Sequence, residues 1–150
     1  MRIAIDAMGG DFAPAEIVKG AVAGCREHNI SLLIVGHEKL LQVELAKYDI
    51  RKLDIEILHT DEWLVEGEPP AYALRRKRDA SILLAVKQIK IGKADAAVSA
   101  GPTGGVVSAA LGVLGTVEGI SRPVFGGTFL GFAPQTFAAD LGGNVDVRPD

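Results

Sequence analysis

The run Ser31-Leu32-Leu33-Ile34-Val35 constrains this chain more than any other stretch. Consecutive apolar residues leave no polar face, so a strand here needs cover on both sides, as in a parallel sheet between two helical layers. Gly36 ends the run. Before it, from Ala15 to about Glu27, Ile17, Val18, Ala21, Val22 and Cys25 recur at helical spacing. After it, His37 to Tyr48 places Leu41, Leu45 and Tyr48 on one helical face. Arg2 to Ala7 and Asp54 to His59 read as further strands, with Ile3 and Ile5, and Ile55 and Ile57, pointing the same way. This β-α-β-α-β alternation predicts an α/β fold with a doubly wound parallel sheet.

Beyond His59 the rhythm changes. Thr60 to Pro70 is a polar connection containing Trp63 and closed by Glu68-Pro69-Pro70. Ala71 to Arg78 suggests a short helix ending in Arg75-Arg76-Lys77-Arg78. Ser81 is expected to cap a further helix with Ile82, Val86 and Ile89 inward and Gly92 at its end. A small-residue strand, Ala94 to Val98, leads into the turn Ser99-Ala100-Gly101-Pro102-Thr103-Gly104-Gly105, and a helical pattern follows from Val106 to about Leu114. Val124 to Leu130 and Thr136 to Asp140 read as strands, and Gly142-Gly143-Asn144 turns the chain into a last one. That last strand has no covering helix, so the chain is expected to be a piece of a longer one. An edge strand with a short tail is the alternative.

Several classes of chemistry find no support. A net charge of −3 supplies no basic field for nucleic acid. His28, His37 and His59 belong to separate elements without ligand spacing, and Cys25 has no C-x-x-C partner, so no metal centre is expected. There is no G-x-S-x-G elbow, no dinucleotide fingerprint and no P-loop. A single cysteine, no signal peptide and no apolar run of membrane-spanning length lead us to expect a cytoplasmic protein.

Glycine is enriched, at 18 of 150 residues, and many glycines stand where strands end. The loops Asp6 to Asp11, Ser99 to Gly105 and Asp140 to Asn144 each follow a strand and are expected to share the carboxyl edge of the sheet, where doubly wound folds bind ligands. Main-chain N–H groups at a strand–turn–helix junction, aided by the helix dipole, suit a small anion. A tight structural turn fits the spacing of Ser99 to Gly105 equally well. Arg75, Arg76, Lys77 and Arg78 bring positive charge, although a solvated helix face accounts for at least two of them. Asp6, Asp11 and Asp140 would repel an anion. They read first as caps for backbone N–H groups, and otherwise as groups that orient the cations or hold Mg²⁺.

Four motifs occur in order: Asp6-Ala7-Met8-Gly9-Gly10-Asp11; Glu68-Pro69-Pro70 with Ala73-Leu74-Arg75-Arg76-Lys77; Ser99-Ala100-Gly101 with Thr103-Gly104; and Asp140-Leu141-Gly142 with Asn144-Val145-Asp146. Together they resemble the bacterial phosphate acyltransferases of phospholipid synthesis, the acyl carrier protein:phosphate transacylases, along the whole chain. The resemblance implies transfer of a fatty acyl group from acyl carrier protein to inorganic phosphate, giving an acyl phosphate that feeds glycerol-3-phosphate acylation. It implies a three-layer α/β/α fold of the isocitrate dehydrogenase and phosphotransacetylase type. It further implies a homodimer without a cofactor, cytoplasmic and peripheral to the inner face of the membrane, with contact to a downstream glycerol-3-phosphate acyltransferase, and family members that run well past residue 150.

Phosphate is itself the nucleophile in such a reaction, so no activated Ser or Cys is needed. Under the resemblance, Ser99, Thr103, Asn144 and Arg75 are the catalytic candidates. Gly9, Gly10, Asp11, Lys77, Gly101, Gly104 and Gly105 are the substrate-binding ones. One position departs from the family: Pro102 stands where Asn is usual, which removes an N–H and a side-chain amide and restricts Gly101. Two other readings stay open: a short-chain phosphate acetyl- or butyryltransferase using coenzyme A, and a non-catalytic binding module or inactive fragment, since the 150-residue chain alone is not expected to release acyl phosphate. A dehydrogenase is weakened by the missing fingerprint.

Overall fold

The computed structural model of the protein describes residues 1–65, 67–120, 123–128 and 131–139. These fall into two compact units, Met1–Leu114 and the residues from Gly115 onward.

In the first unit, β1 (Arg2–Asp6), β2 (Ser31–Gly36), β3 (Ile55–His59) and β4 (Ala96–Ser99) form a four-stranded sheet in the order β3-β2-β1-β4. Every pairing in it is parallel. The helices are α1 (Ala15–His28), α2 (Glu38–Leu45), α3 (Pro70–Arg76), α4 (Ser81–Lys90) and α5 (Thr103–Leu114).

Side-chain alternation sorts the layers. Ile3 and Ile5 of β1, Leu32 and Ile34 of β2, and Ile55 and Ile57 of β3 face α1 and α2, which answer with Val18, Val22, Cys25, Leu41 and Leu45. Ala4, Val35 and Leu58 face the other way and meet Ala85 and Leu84 of α4. Ile82 and Val86 of α4 then pack against Ala109 and Val106 of α5 and Leu74 of α3. The result is the expected three-layer α/β/α arrangement. Leu32, Leu33, Ile34 and Val35 are all buried, as an unbroken apolar strand between two layers requires. Fully burying each such side chain contributes roughly 1.5–3 kcal/mol.

Some boundaries differ from the pattern. Ser81 does not cap α4. Ala80 takes that position, and Ser81 opens the helix fully buried, its N–H donating to the Glu62 carbonyl at 2.9 Å. The helix α5 begins at Thr103, three residues before its apolar pattern starts, because Gly105 and Val106 N–H both close onto the Pro102 carbonyl, at 2.8 and 3.2 Å.

In the second unit the expected strands Val124 to Leu130 and Thr136 to Asp140 shrink, among the described residues, to a two-residue antiparallel ladder. It pairs β5 (Gly126–Gly127) with β6 (Ala138–Ala139). Asp140, the Gly142-Gly143-Asn144 turn and the strand beginning at Val145 lie outside the described residues.

Candidate functional site

From β1 the chain winds outward through β2 to β3, then crosses under the sheet to deliver β4 on the other side of β1. The direction of winding therefore reverses between β1 and β4, and the loops after these two strands diverge there. That is where doubly wound sheets open a crevice. Asp6 and Ser99, the last residues of the two strands, stand in register. Asp6 is buried, and its Oδ2 accepts the Ser99 hydroxyl at 2.7 Å while its Oδ1 accepts Met8 N–H at 3.2 Å. The Ser99 Oγ in turn accepts Gly101 N–H at 3.0 Å. One carboxylate and one hydroxyl thus tie both loops to the sheet. This is the capping role read for Asp6.

Two glycines are required at this junction. A Cβ on Gly9 would stand 2.6 Å from Asp6 Oδ2, 2.8 Å from Ser99 Oγ and 2.9 Å from Gly101 N. Gly10 has φ +109°, in the region that disfavours any side chain, and lies against Ala100.

Above the junction opens a cleft of about 720 Å³. Part of its lining is main chain and small residues: Gly10, Asp11, Ala100, Gly101, Pro102 and Thr103. The rest includes the apolar residues Leu40, Trp63, Leu64 and Val65. Thr103 N–H and Gly104 N–H, the first amides of α5, have no internal acceptor among the described residues. They carry the positive end of the α5 dipole. No Lys or Arg lines the cleft among the described residues, and Asp11 puts a carboxylate on its rim.

Pro102 precedes α5 but has no side chain that can cap it. Replacing Pro102 by Asn should add a cap contributing about 0.5–2 kcal/mol. Losing the preset proline φ offsets this by about 0.4–1 kcal/mol. The ranges net to between about −0.5 and +1.6 kcal/mol, so we expect a rise of about 0.5 kcal/mol in unfolding free energy by denaturant titration; a loss of more than about 0.5 kcal/mol would contradict it.

Residues 1–150 match the family described as fatty acid synthesis protein. The chain belongs to that family. A phosphate acyltransferase from Endomicrobium trichonymphae is 44% identical over 100% of this chain and 46% of its own length. Phosphate acyltransferases from Clostridium kluyveri and Geobacter sulfurreducens are 42% and 44% identical, each over 99% of this chain and over 45% and 43% of their own lengths. The chain spans less than half the length of these curated relatives.

In this member of the fatty acid synthesis protein family, the candidate residues do not all meet. Gly10, Asp11, Gly101 and Thr103 line the cleft, with Gly9 and Ser99 beneath it. Gly104 faces Pro70, and Gly105 is packed against Leu64, whose Cδ1 lies 2.5 Å from where a Cβ would be. Arg75 lies elsewhere, with Arg78 and Lys87 on a separate groove of about 560 Å³ between α3, α4 and α5. Lys77 is engaged internally: its ammonium donates to the Trp63 carbonyl at 2.9 Å and to Glu68 Oε2 at 2.6 Å. Asn144 lies outside the described residues.

The Lys77 hydrogen bond, helped by Val65 N–H, holds the Glu68 carboxyl below its ordinary value of 4.5. A lowered carboxyl favours the folded state above its ordinary value, and that contribution is lost as pH falls through the lowered one. The pair is therefore intact at neutral pH.

Sequence patterning missed the apolar side of the cleft. Trp63-Leu64-Val65 was the available signal, three apolar residues inside a polar connection. It also missed that His37 and His59 meet edge-on, with ring centroids 5.7 Å apart, each Nε2 lying 3.5 Å from an oxygen of Asp61. Among the described residues no group of three or more His, Cys, Asp or Glu is arranged to hold a metal ion.

Proposed function

We propose that the protein moves a fatty acyl group from the thioester of acyl–acyl carrier protein to inorganic phosphate, as an acyltransferase of fatty acid and phospholipid synthesis. The observation that carries this reading is the mixed lining of the cleft. Free amides at a helix start suit a phosphate or a developing oxyanion, and the apolar residues of the same lining suit a hydrocarbon chain. The names of the relatives, phosphate acyltransferase, agree with it.

In this reaction a phosphate oxygen attacks the thioester carbonyl carbon, and the tetrahedral oxyanion then expels the thiol sulfur. The C–S bond breaks, a C–O bond to phosphorus forms, and the proton of hydrogen phosphate ends on the thiol. The products are acyl phosphate and free carrier thiol. The protein's part is to place the reactants and to stabilise the oxyanion with fixed N–H dipoles. Thr103 N–H is the group on the cleft lining available for this, while Ser99 and Asp6 hold the loop that precedes it. A dimeric assembly, a cytoplasmic site at the inner face of the membrane and delivery of product to a glycerol-3-phosphate acyltransferase belong to the same proposal. No helix among the described residues is long and apolar enough to cross a membrane.

The test is phosphate-dependent release of acyl phosphate, trapped as the hydroxamate, by a protein of the relatives' length that carries this segment. Long-chain acyl–acyl carrier protein is the expected donor. A preference for acetyl- or butyryl-coenzyme A would favour the short-chain reading instead. Thioester loss that is independent of phosphate would overturn both.

A further inference from the structure

We propose that Lys77 and Glu68 are positioning residues that hold the Trp63-Leu64-Val65 segment as the apolar wall of the cleft and thereby set how well it accepts a long acyl group. The proposal rests on the reading of the cleft given above.

The wall has no regular structure of its own. From Thr60 to Val65 the chain is neither helix nor strand, so its path is fixed by the bonds and packing contacts it makes. Those bonds lie at both ends. Upstream, Thr60 Oγ1 donates to the Asp79 carbonyl at 2.6 Å and accepts Glu62 N–H at 3.1 Å, and Glu62 Oε2 accepts Asp79 N–H at 2.9 Å. Downstream, the knot is made by Lys77 and Glu68. Lys77 Nζ holds the Trp63 carbonyl, Glu68 Oε2 holds Val65 N–H at 3.0 Å, and the two side chains hold each other. These contacts grip the main chain on either side of Leu64.

Leu64 itself is seated against the bare Cα of Gly105 in α5. The segment is thus pinned inward at its centre and clamped at its flanks. Val65, more than half exposed, is kept on the cleft side. Lys77 follows the last turn of α3, and both partners are about one-third exposed or less on their side chains. That shielding makes the contact less sensitive to salt than an open surface pair. Neither side chain lines the cleft. Their influence on substrate must therefore pass through the wall.

Trp63 is the sole tryptophan of the chain, so its fluorescence reports the wall directly. The variants are Lys77→Met, which keeps the stem and removes the ammonium, and Glu68→Gln, with Lys77→Arg as the conservative control. In the 150-residue chain we expect the first two to shift Trp63 emission to the red and to raise its quenching by acrylamide about twofold, with the far-ultraviolet circular dichroism unchanged. In a protein of the relatives' length, we expect KM for palmitoyl–acyl carrier protein to rise about tenfold, with kcat and the phosphate KM held, since only donor binding is weakened. Acetyl–acyl carrier protein should show no such rise, and Lys77→Arg should recover most of both signals.

Wild-type emission and donor KM in both variants would overturn the proposal. A shifted emission with unchanged palmitoyl KM would overturn its selectivity half. Loss of the circular dichroism spectrum in both variants would also overturn it, making the pair a determinant of folding instead. If the unsubstituted protein forms no acyl phosphate, the reading of the cleft fails separately, and the fluorescence still decides whether the pair holds the wall.

Discussion

Gly9→Ala should unsettle the sheet edge and abolish turnover together. The added methyl would lie within 3.0 Å of three atoms, none free to retreat. Asp6 Oδ2 is buried and bonded to Ser99, Ser99 Oγ is bonded on both sides, and Gly101 N is main chain. Relief requires parting the two loops. Overpacking of this kind destabilises by about 1–3 kcal/mol, and an unpaired buried carboxylate adds a further penalty of about 1–3 kcal/mol or more. Denaturant unfolding should show the loss. In a protein of the relatives' length, any variant that remains folded should still have lost the proposed phosphate-dependent transfer. Wild-type stability and rate in Gly9→Ala would mean that the junction is looser than its distances imply.

Thr103→Pro tests the amide at the helix start without dismantling the helix. Proline is well tolerated in the first helical position, where the N–H has no internal partner. The substitution therefore deletes one candidate donor and leaves α5 in place. Removal of a single oxyanion donor lowers kcat by about 10²–10³-fold in enzymes that depend on one. We expect a loss of that order, with a helical circular dichroism spectrum close to the parent's. Thr103→Ser, which keeps the amide and a hydroxyl, should stay within a few-fold of the parent. Equal activity in Thr103→Pro would remove this amide from the chemistry.

The fold was readable because its signals are periodic. Leu32 to Val35 reads as an inner strand, and Val18, Ala21, Val22 and Cys25 are the buried positions of α1, as their spacing requires. The glycine loops were readable for a related reason: glycine after a strand marks a place where main chain must come close. The wall was not, because Trp63, Leu64 and Val65 obey no period, and their placement depends on where a loop travels. Lys77 shows the same limit. In a run of four cations its neighbours reach solvent, and only the return of the chain at Glu68 turns this one inward. Ser81 looked like a cap because serine favours that role. The carbonyl of Glu62 claimed its N–H and drew it one position into the helix.

The bond between Asp6 and Ser99 joins positions 93 apart. Closing so long a loop is slow compared with pairing β1 to β2, whose partners are separated by a single helix. The strands on the far side can therefore associate while the crevice does not yet exist. On a ribosome that interval lasts until the fourth strand has emerged and found the first. In the described sheet β4 pairs only with β1, so fraying there would open the crevice while the other strands are still assembled.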